Sequence, residues 1–216
     1  MKFPILFKLQ KEKSIEMMNL TDVDLVRCVL IGDNECGKEM MLKKYAAYSG
    51  IPYDSTTGQL VTAFNGRKCV FVDSSVDKGF NDPHVFLLCV SVARQANVEE
   101  TVRMILDTVI DRIRGIPFVL VGTQIEKRLL TRIEYSDQHG TNCFPMPLHQ
   151  AESFAKQIGA NKYLECSEIT GEGLDEVFEE AFEIAHNYAV QLQRGYQQNK
   201  SIPDDAKVRK SSCITQ

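Results

Sequence analysis

The stretch Leu25-Val-Arg-Cys-Val-Leu-Ile-Gly-Asp-Asn-Glu-Cys-Gly-Lys38 decides the fold. Residues 25–31 are short, β-branched and mostly apolar, the pattern of a strand buried on both faces. Gly32-Asp-Asn-Glu-Cys-Gly37-Lys38 then fits Gly-x-x-x-x-Gly-Lys, and the following residues 40–45 read as helix. In a strand–loop–helix setting that spacing lets the backbone fold tightly enough for successive N–H groups to point at a phosphate. The helix amino terminus adds positive potential and Lys38 a point charge. A glycine-rich turn with no ligand satisfies the same spacing, so the loop needs support from the rest of the chain.

Outward from this loop, strand and helix patterns alternate. Residues 59–65 and 68–73 are extended runs separated by Asn65-Gly66, a hairpin signal. Residues 84–92 and 117–122 are further buried-strand candidates, and between them residues 98–113 carry one apolar stripe at helical spacing. Residues 149–158 read as helix, 163–166 as a short strand and 173–192 as a final amphipathic helix. The expected architecture is an α/β, doubly wound, mostly parallel sheet with one antiparallel edge strand and helices on both faces. The expected boundaries are an extension over 1–23, a domain over 24–192 and a basic tail over 193–216.

The chain has 216 residues, 44% hydrophobic and 25% charged, which allows one core-bearing domain with tails. A formal charge of −4 excludes a binder that neutralises nucleic-acid phosphates over a broad surface. Seven cysteines without a Cys-x-x-Cys pair speak against a disulfide framework or structural zinc, and for a reducing compartment. No apolar run reaches the roughly 18 residues of a membrane span, and residues 1–10 lack the features of a secretory signal.

Several stretches together resemble the Rho family of Ras-superfamily small GTPases, over residues 24–192. They are Arg27-Cys-Val-Leu-Ile-Gly-Asp33, Phe118-Val-Leu-Val-Gly-Thr123, and Lys162-Tyr-Leu-Glu-Cys-Ser167 leading to Gly173-Leu-Asp-Glu-Val-Phe178. Between Glu126 and Tyr163 there is room for the helical insert that marks Rho proteins. The resemblance implies a P-loop NTPase fold of the Ras-like type, GTP or GDP with Mg²⁺ as ligands, and effector and regulator proteins of the Rho type as partners. Residues carried over for the nucleotide are Gly32, Asp33, Asn34, Glu35, Cys36, Gly37, Lys38, Glu39, Asp73, Thr123, Gln124, Glu126, Ser167 and Glu168. For Mg²⁺ they are Glu39 and Asp73.

At these positions the chain departs from the family. Glu39 stands where a Ser or Thr gives its hydroxyl to Mg²⁺, and either binds metal itself or turns outward as a helix-start acid. The family's Asp-x-x-Gly-Gln is Asp73-Ser74-Ser75-Val76-Asp77: Val76 replaces a hinge glycine, and Asp77 takes the water-orienting position. The switch threonine falls at Tyr53, with Thr56 and Thr57 as alternative hydroxyls. Asn34 crowds the place where an arginine from a GTPase activator would enter. Thr123-Gln124-Ile125-Glu126 lacks the lysine that packs on guanine, and Glu168 puts a bulky acid near the base. Weak GTP binding with impaired hydrolysis is the expectation, beside a pseudo-GTPase scaffold that binds no nucleotide and a cycling GTPase.

The chain's last four residues are Cys213-Ile214-Thr215-Gln216, a prenylation pattern whose final Gln favours a farnesyl group on Cys213. Residues 194–216 hold five basic and two acidic residues, so they carry +3 and the remainder −7. One lipid chain with a basic stretch suits an anionic membrane, which places the protein at the cytoplasmic face of membranes with a cytosolic pool. Lys2, Lys8, Lys11 and Lys13 assist that attachment or form a solvated extension. His84, His139, His149 and His186 show no ligand spacing, Cys28, Cys89 and Cys166 read as core, and the acidic run 175–183 as a wet helix face. Cys36 is redox-sensitive only if the helix terminus lowers its pKa against the nearby acids.

Overall fold

The computed structural model describes residues 23, 25–76, 82–92, 98–128 and 146–200. Asp77, Cys143, His139, most of the expected insert, the amino-terminal lysines and Cys213 lie outside them. Among the described residues the strands are β1 (Leu25–Gly32), β2 (Tyr53–Asp54), β3 (Gln59–Phe64), β4 (Arg67–Asp73), β5 (Val85–Ser91), β6 (Phe118–Thr123) and β7 (Lys162–Glu165). The helices are α1 (Lys38–Ser49), α2 (Val98–Ile113), α3 (Leu148–Gln157) and α4 (Leu174–Lys200).

The sheet order is β2-β3-β4-β1-β5-β6-β7. Strands β4, β1, β5, β6 and β7 pair in parallel, and β3 runs antiparallel to β4 through the Asn65-Gly66 hairpin. Side-chain alternation along β1 explains the two layers. Val26, Cys28 and Leu30 pack on one face with Met41, Leu42, Phe178 and Phe182 of α1 and α4. Val29 and Ile31 pack on the other with Val102 of α2 and Phe154 of α3. Seven buried residues in a row make β5 apolar on both faces, as a central parallel strand must be.

Two features differ from the expectation. Strand β2 lies beyond β3 at the edge, with Tyr53 opposite Leu60 and Asp54 opposite Gln59; two residues are too short to show a period. Helix α4 continues to Lys200 rather than stopping at Leu192. The added turns hold three Gln together with Arg194 and Lys200, good helix formers, and Gly195 alone costs only about 1 kcal/mol there.

The direction of winding reverses at β1, which lies between β4 and β5. In such sheets ligands bind at the carboxyl ends of the strands at this switch point. Gly32, Asp73, Ser91 and Thr123 end β1, β4, β5 and β6 there, so the motifs found in sequence converge on one rim.

Candidate functional site

The phosphate-type loop closes over β5. A Cβ on Gly32 would lie 2.4 Å from the Cys89 carbonyl oxygen and 2.8 Å from Cys36 Sγ, so only glycine fits. Gly37 has φ 77° and stands as the amino cap of α1 without a side-chain cap. Lys38 is 4% exposed, and its Nζ donates to the carbonyl oxygens of Gly32 at 3.0 Å and Asp33 at 2.6 Å. The cation therefore braces the loop from within. Asn34 and Glu35 are exposed on its outer turn. Burial pushes the Cys36 thiol up, outweighing Lys38, so Cys36 is not held as a thiolate.

On the metal side the donors diverge. Glu39 is half exposed and pairs with Lys43 at 2.8 Å one helical turn on, the outward of its two orientations. Asp73 is 1% exposed, and its Oδ1 accepts from the Ser75 backbone N–H at 2.9 Å and the Ser75 hydroxyl at 2.5 Å. Among the described residues no three His, Cys, Asp or Glu side chains are grouped to hold a metal ion. The hydroxyls of Thr56 and Thr57 both donate to Asp54, at 2.6 and 2.7 Å, which holds that carboxyl down at about 2. Neither is free as a stand-in for the switch threonine. Tyr53 has a buried hydroxyl with no hydrogen-bond partner, and burial, then Glu39, Asp73 and Asp54, push its pKa up. A magnesium ion thus finds Glu39 turned away and Asp73 bonded into its own turn, so the donor set does not fit one.

Val76, at the hinge-glycine position, packs on the β2–β3 turn: a Cβ on Gly58 would meet Val76 Cβ at 2.8 Å. The Asp73 N–H also donates to the Gly58 carbonyl at 2.9 Å. This contact fixes the segment after β4 against its neighbour, and no spacing rule in the sequence signals it.

The base side is more closely knit. Gln124 adopts a left-handed backbone, φ 63°. Its Nε2 donates to the Glu35 carbonyl at 2.9 Å, and its Oε1 accepts from Ser91 Oγ at 2.6 Å and Lys127 Nζ at 2.9 Å. Gln124 thereby ties the phosphate-type loop to the end of β6. Ser167 Oγ accepts from the N–H groups of Ile169 and Thr170. Both Glu126 carboxylate oxygens and the Thr123 hydroxyl are buried without hydrogen-bond partners.

Glu168 is the decisive departure. It is 6% exposed, and its carboxylate lies over Gly37, where a Cβ would meet Oε1 at 2.7 Å. Its Oε2 has no hydrogen-bond partner. Burial, followed by the negative charges of Glu168, Glu126 and Glu165, drives the Cys166 thiol far up. Glu165 is compensated by Arg128 through two bonds, at 2.9 and 2.5 Å, and by the Tyr163 hydroxyl at 2.5 Å. Among the described residues, Glu126 and Glu168 have no such partner. The loop keeps the form of a phosphate cradle, while a carboxylate of the protein itself lies against Gly37, the residue before α1.

The family model described as Ras family matches residues 71–187, more than half of the chain. That span contains Asp73, the Thr123–Glu126 motif and Ser167-Glu168, and leaves out the loop from Gly32 to Glu39. Similar curated proteins are the Rho-related GTP-binding protein RhoV of Mus musculus and of Homo sapiens, each 27% identical over 187 residues, covering 78% of this chain and 78% of the relative. The same protein of Rattus norvegicus matches equally. With the sheet order, the loop at the switch point and the Rho-like block at β7 already in place, the chain belongs to the Ras family and is similar to its Rho-related members.

Proposed function

We propose that the chain is a Rho-like signalling module that binds guanine nucleotide weakly, hydrolyses it poorly, and acts at membranes through contacts with effector and regulator proteins. The supporting observation is the buried Glu168 carboxylate lying on Gly37 with an unpartnered oxygen. An anionic ligand entering the cradle has to displace this acid or share the site with it. Two like charges about 4 Å apart at an effective dielectric near 20 repel by roughly 4 kcal/mol, an upper figure equivalent to about three decades of affinity. Turnover is further impaired by Val76 and Asp77 at the hinge and water-orienting positions.

Titration of GTP with the purified full chain tests this reading. Weak binding that tightens in Glu168→Ala supports it, whereas stoichiometric nucleotide retained through purification overturns it. A second reading, a pseudo-GTPase scaffold that binds no nucleotide, is favoured by Lys38, whose ammonium is already satisfied by loop carbonyls. An absent thermal shift with GTP in both wild type and Glu168→Ala selects it. A cycling GTPase instead requires phosphate release that Lys38→Ala abolishes. Membrane attachment rests on Cys213 and the basic residues before it, with a farnesyl group as the expected lipid. Cys213→Ser should release the protein to the cytosol, and unchanged membrane partition removes the anchor.

A further inference from the structure

A groove of about 390 Å³ runs between the β3–β4 turn and α4, on the sheet face opposite α2 and α3. Its volume falls within the range of ligand-holding clefts, roughly 300–1,000 Å³. Phe64 and Phe182 form an apolar wall, stacked with centroids 5.0 Å apart, and Glu176, Glu179 and Glu183 rim it. Glu180 at the same groove is neutralised by Lys162 at 2.5 Å. Glu176 and Glu179 form no ion pair among the described residues. Arg67, the β4 partner of Phe64, bonds His186 beside Glu183, so the unpaired negative charge of the rim lies at Glu176 and Glu179, next to the half-buried Phe64 ring with Phe182 buried behind it, a combination suited to a segment that combines lysines with large apolar residues.

Such a segment precedes Val23. Residues 1–13 contain four lysines and one glutamate together with Phe3, Ile5, Leu6, Phe7 and Leu9. The chain enters the fold beside the groove. Val23 belongs to the same buried layer as Phe64 and Phe182, and Leu25 stands in register with Lys68, one residue past the β4 partner of Phe64. Lys13 lies ten positions before Val23, a reach of up to about 33 Å. The basic residues after α4 are poorly placed by comparison. Lys200 is 18 residues beyond Phe182, about 27 Å along the helix, so the steps from Lys200 to Lys207, at most about 25 Å, fall short of Phe182, and those to Lys210, at most about 36 Å, reach it only when almost fully extended.

We infer that residues 2–13 of this chain dock into the Phe64–Phe182 groove, with their lysines on the Glu176, Glu179 and Glu183 rim. The contact gives the amino-terminal extension a place on the domain and leaves the strand carboxyl ends, on which the proposed nucleotide reading rests, untouched. Its test is independent of nucleotide.

Amide hydrogen exchange on the full chain reads the docking at the β3–β4 turn and in residues 3–13. The charge reversals K8E/K11E/K13E and, separately, E176K/E179K should each speed exchange in both places by about fivefold, the scale of a few surface charge pairs. Combining the two sets should restore protection. Zero-length carbodiimide coupling of the wild-type chain should join Lys8, Lys11 or Lys13 to the glutamate rim within one molecule. Unchanged exchange in either set, failure of the combination to restore it, or no such coupling product overturns the assignment. Protection at the turn that rises with protein concentration also overturns it, because a second copy then fills the groove.

Discussion

The layer between the sheet and helices α1 and α4 differs sharply from the rim at the strand carboxyl ends. In the layer, Tyr45 stacks on Phe178 at 4.2 Å, Phe71 meets Phe178 edge-on at 4.6 Å, and neighbouring positions are Val, Leu, Ala and Cys at 0% exposure. Among the described residues, the buried polar side-chain atoms without hydrogen-bond partners include Tyr53 Oη, Thr123 Oγ1, both Glu126 oxygens and Glu168 Oε2, and of these residues only Tyr53, on the edge strand β2, packs against that layer. Satisfied scaffolds commonly surround functional sites that break local rules. Here the unsatisfied atoms include two carboxylates, so the rim carries a cost that an anionic ligand increases.

The largest effect expected is in the layer. Phe178→Ala removes a fully buried ring touching Tyr45 and Phe71 and should cost about 3–5 kcal/mol. Denaturant unfolding measures it; a loss below about 1 kcal/mol would show that the layer is not the stabilising half. Next comes Arg128→Ala, which strands Glu165 at the edge of the rim. Side-chain exposures of 26% and 16% reduce the penalty of a fully buried pair, leaving about 2 kcal/mol. If it proves harmless, the Arg128–Glu165 pair is not what separates a compensated acid from the uncompensated ones.

Glu168→Gln should act with the opposite sign. Removing a buried charge with an unpartnered oxygen should raise stability by about 1 kcal/mol, and a loss of stability instead would make the acid a structural group rather than an obstruction. A smaller, pH-dependent effect belongs to His84, whose Nδ1 accepts from the Arg27 N–H at 3.0 Å. Burial, then Arg27, lowers its pKa, so the folded state favours the neutral ring. The unfolded state then binds more protons below about pH 6.5. Stability should be complete above that value and fall as pH drops towards the folded pKa, and His84→Gln should flatten this part of the profile.

Strands β1, β5 and β6 were legible because burial on both faces leaves an uninterrupted apolar run, and the hairpin because Asn65-Gly66 has few other uses. The loop from Gly32 to Lys38 was legible because its glycines answer to local backbone geometry. What escaped depends on side chains far apart in sequence. The position of Glu168 over Gly37 joins residues more than a hundred apart, and the Val76 contact with Gly58 needs the folded β2–β3 turn. The pairing of Arg128 with Glu165 likewise follows from β6 and β7 lying side by side. Strand β2 escaped for its brevity, and the last turns of α4 because a polar composition resembles a tail as much as a solvated helix.

Glu39 gives the smallest expected effect and the finest division between the two regions. It sits at the start of α1, which belongs to the layer, yet occupies the sequence position of a metal ligand on the rim. Its ion pair with Lys43 is half exposed, and exposed pairs one helical turn apart contribute only about 0.3–0.5 kcal/mol. Glu39→Gln should therefore shift stability by no more than that, and should leave any Mg²⁺ dependence of GTP binding as it is in the wild type. The two readouts discriminate between its orientations. A Glu39 that turns inward to hold metal would leave the stability change just as small but would weaken GTP binding only in the presence of Mg²⁺, and that result would transfer the residue from the scaffold to the site.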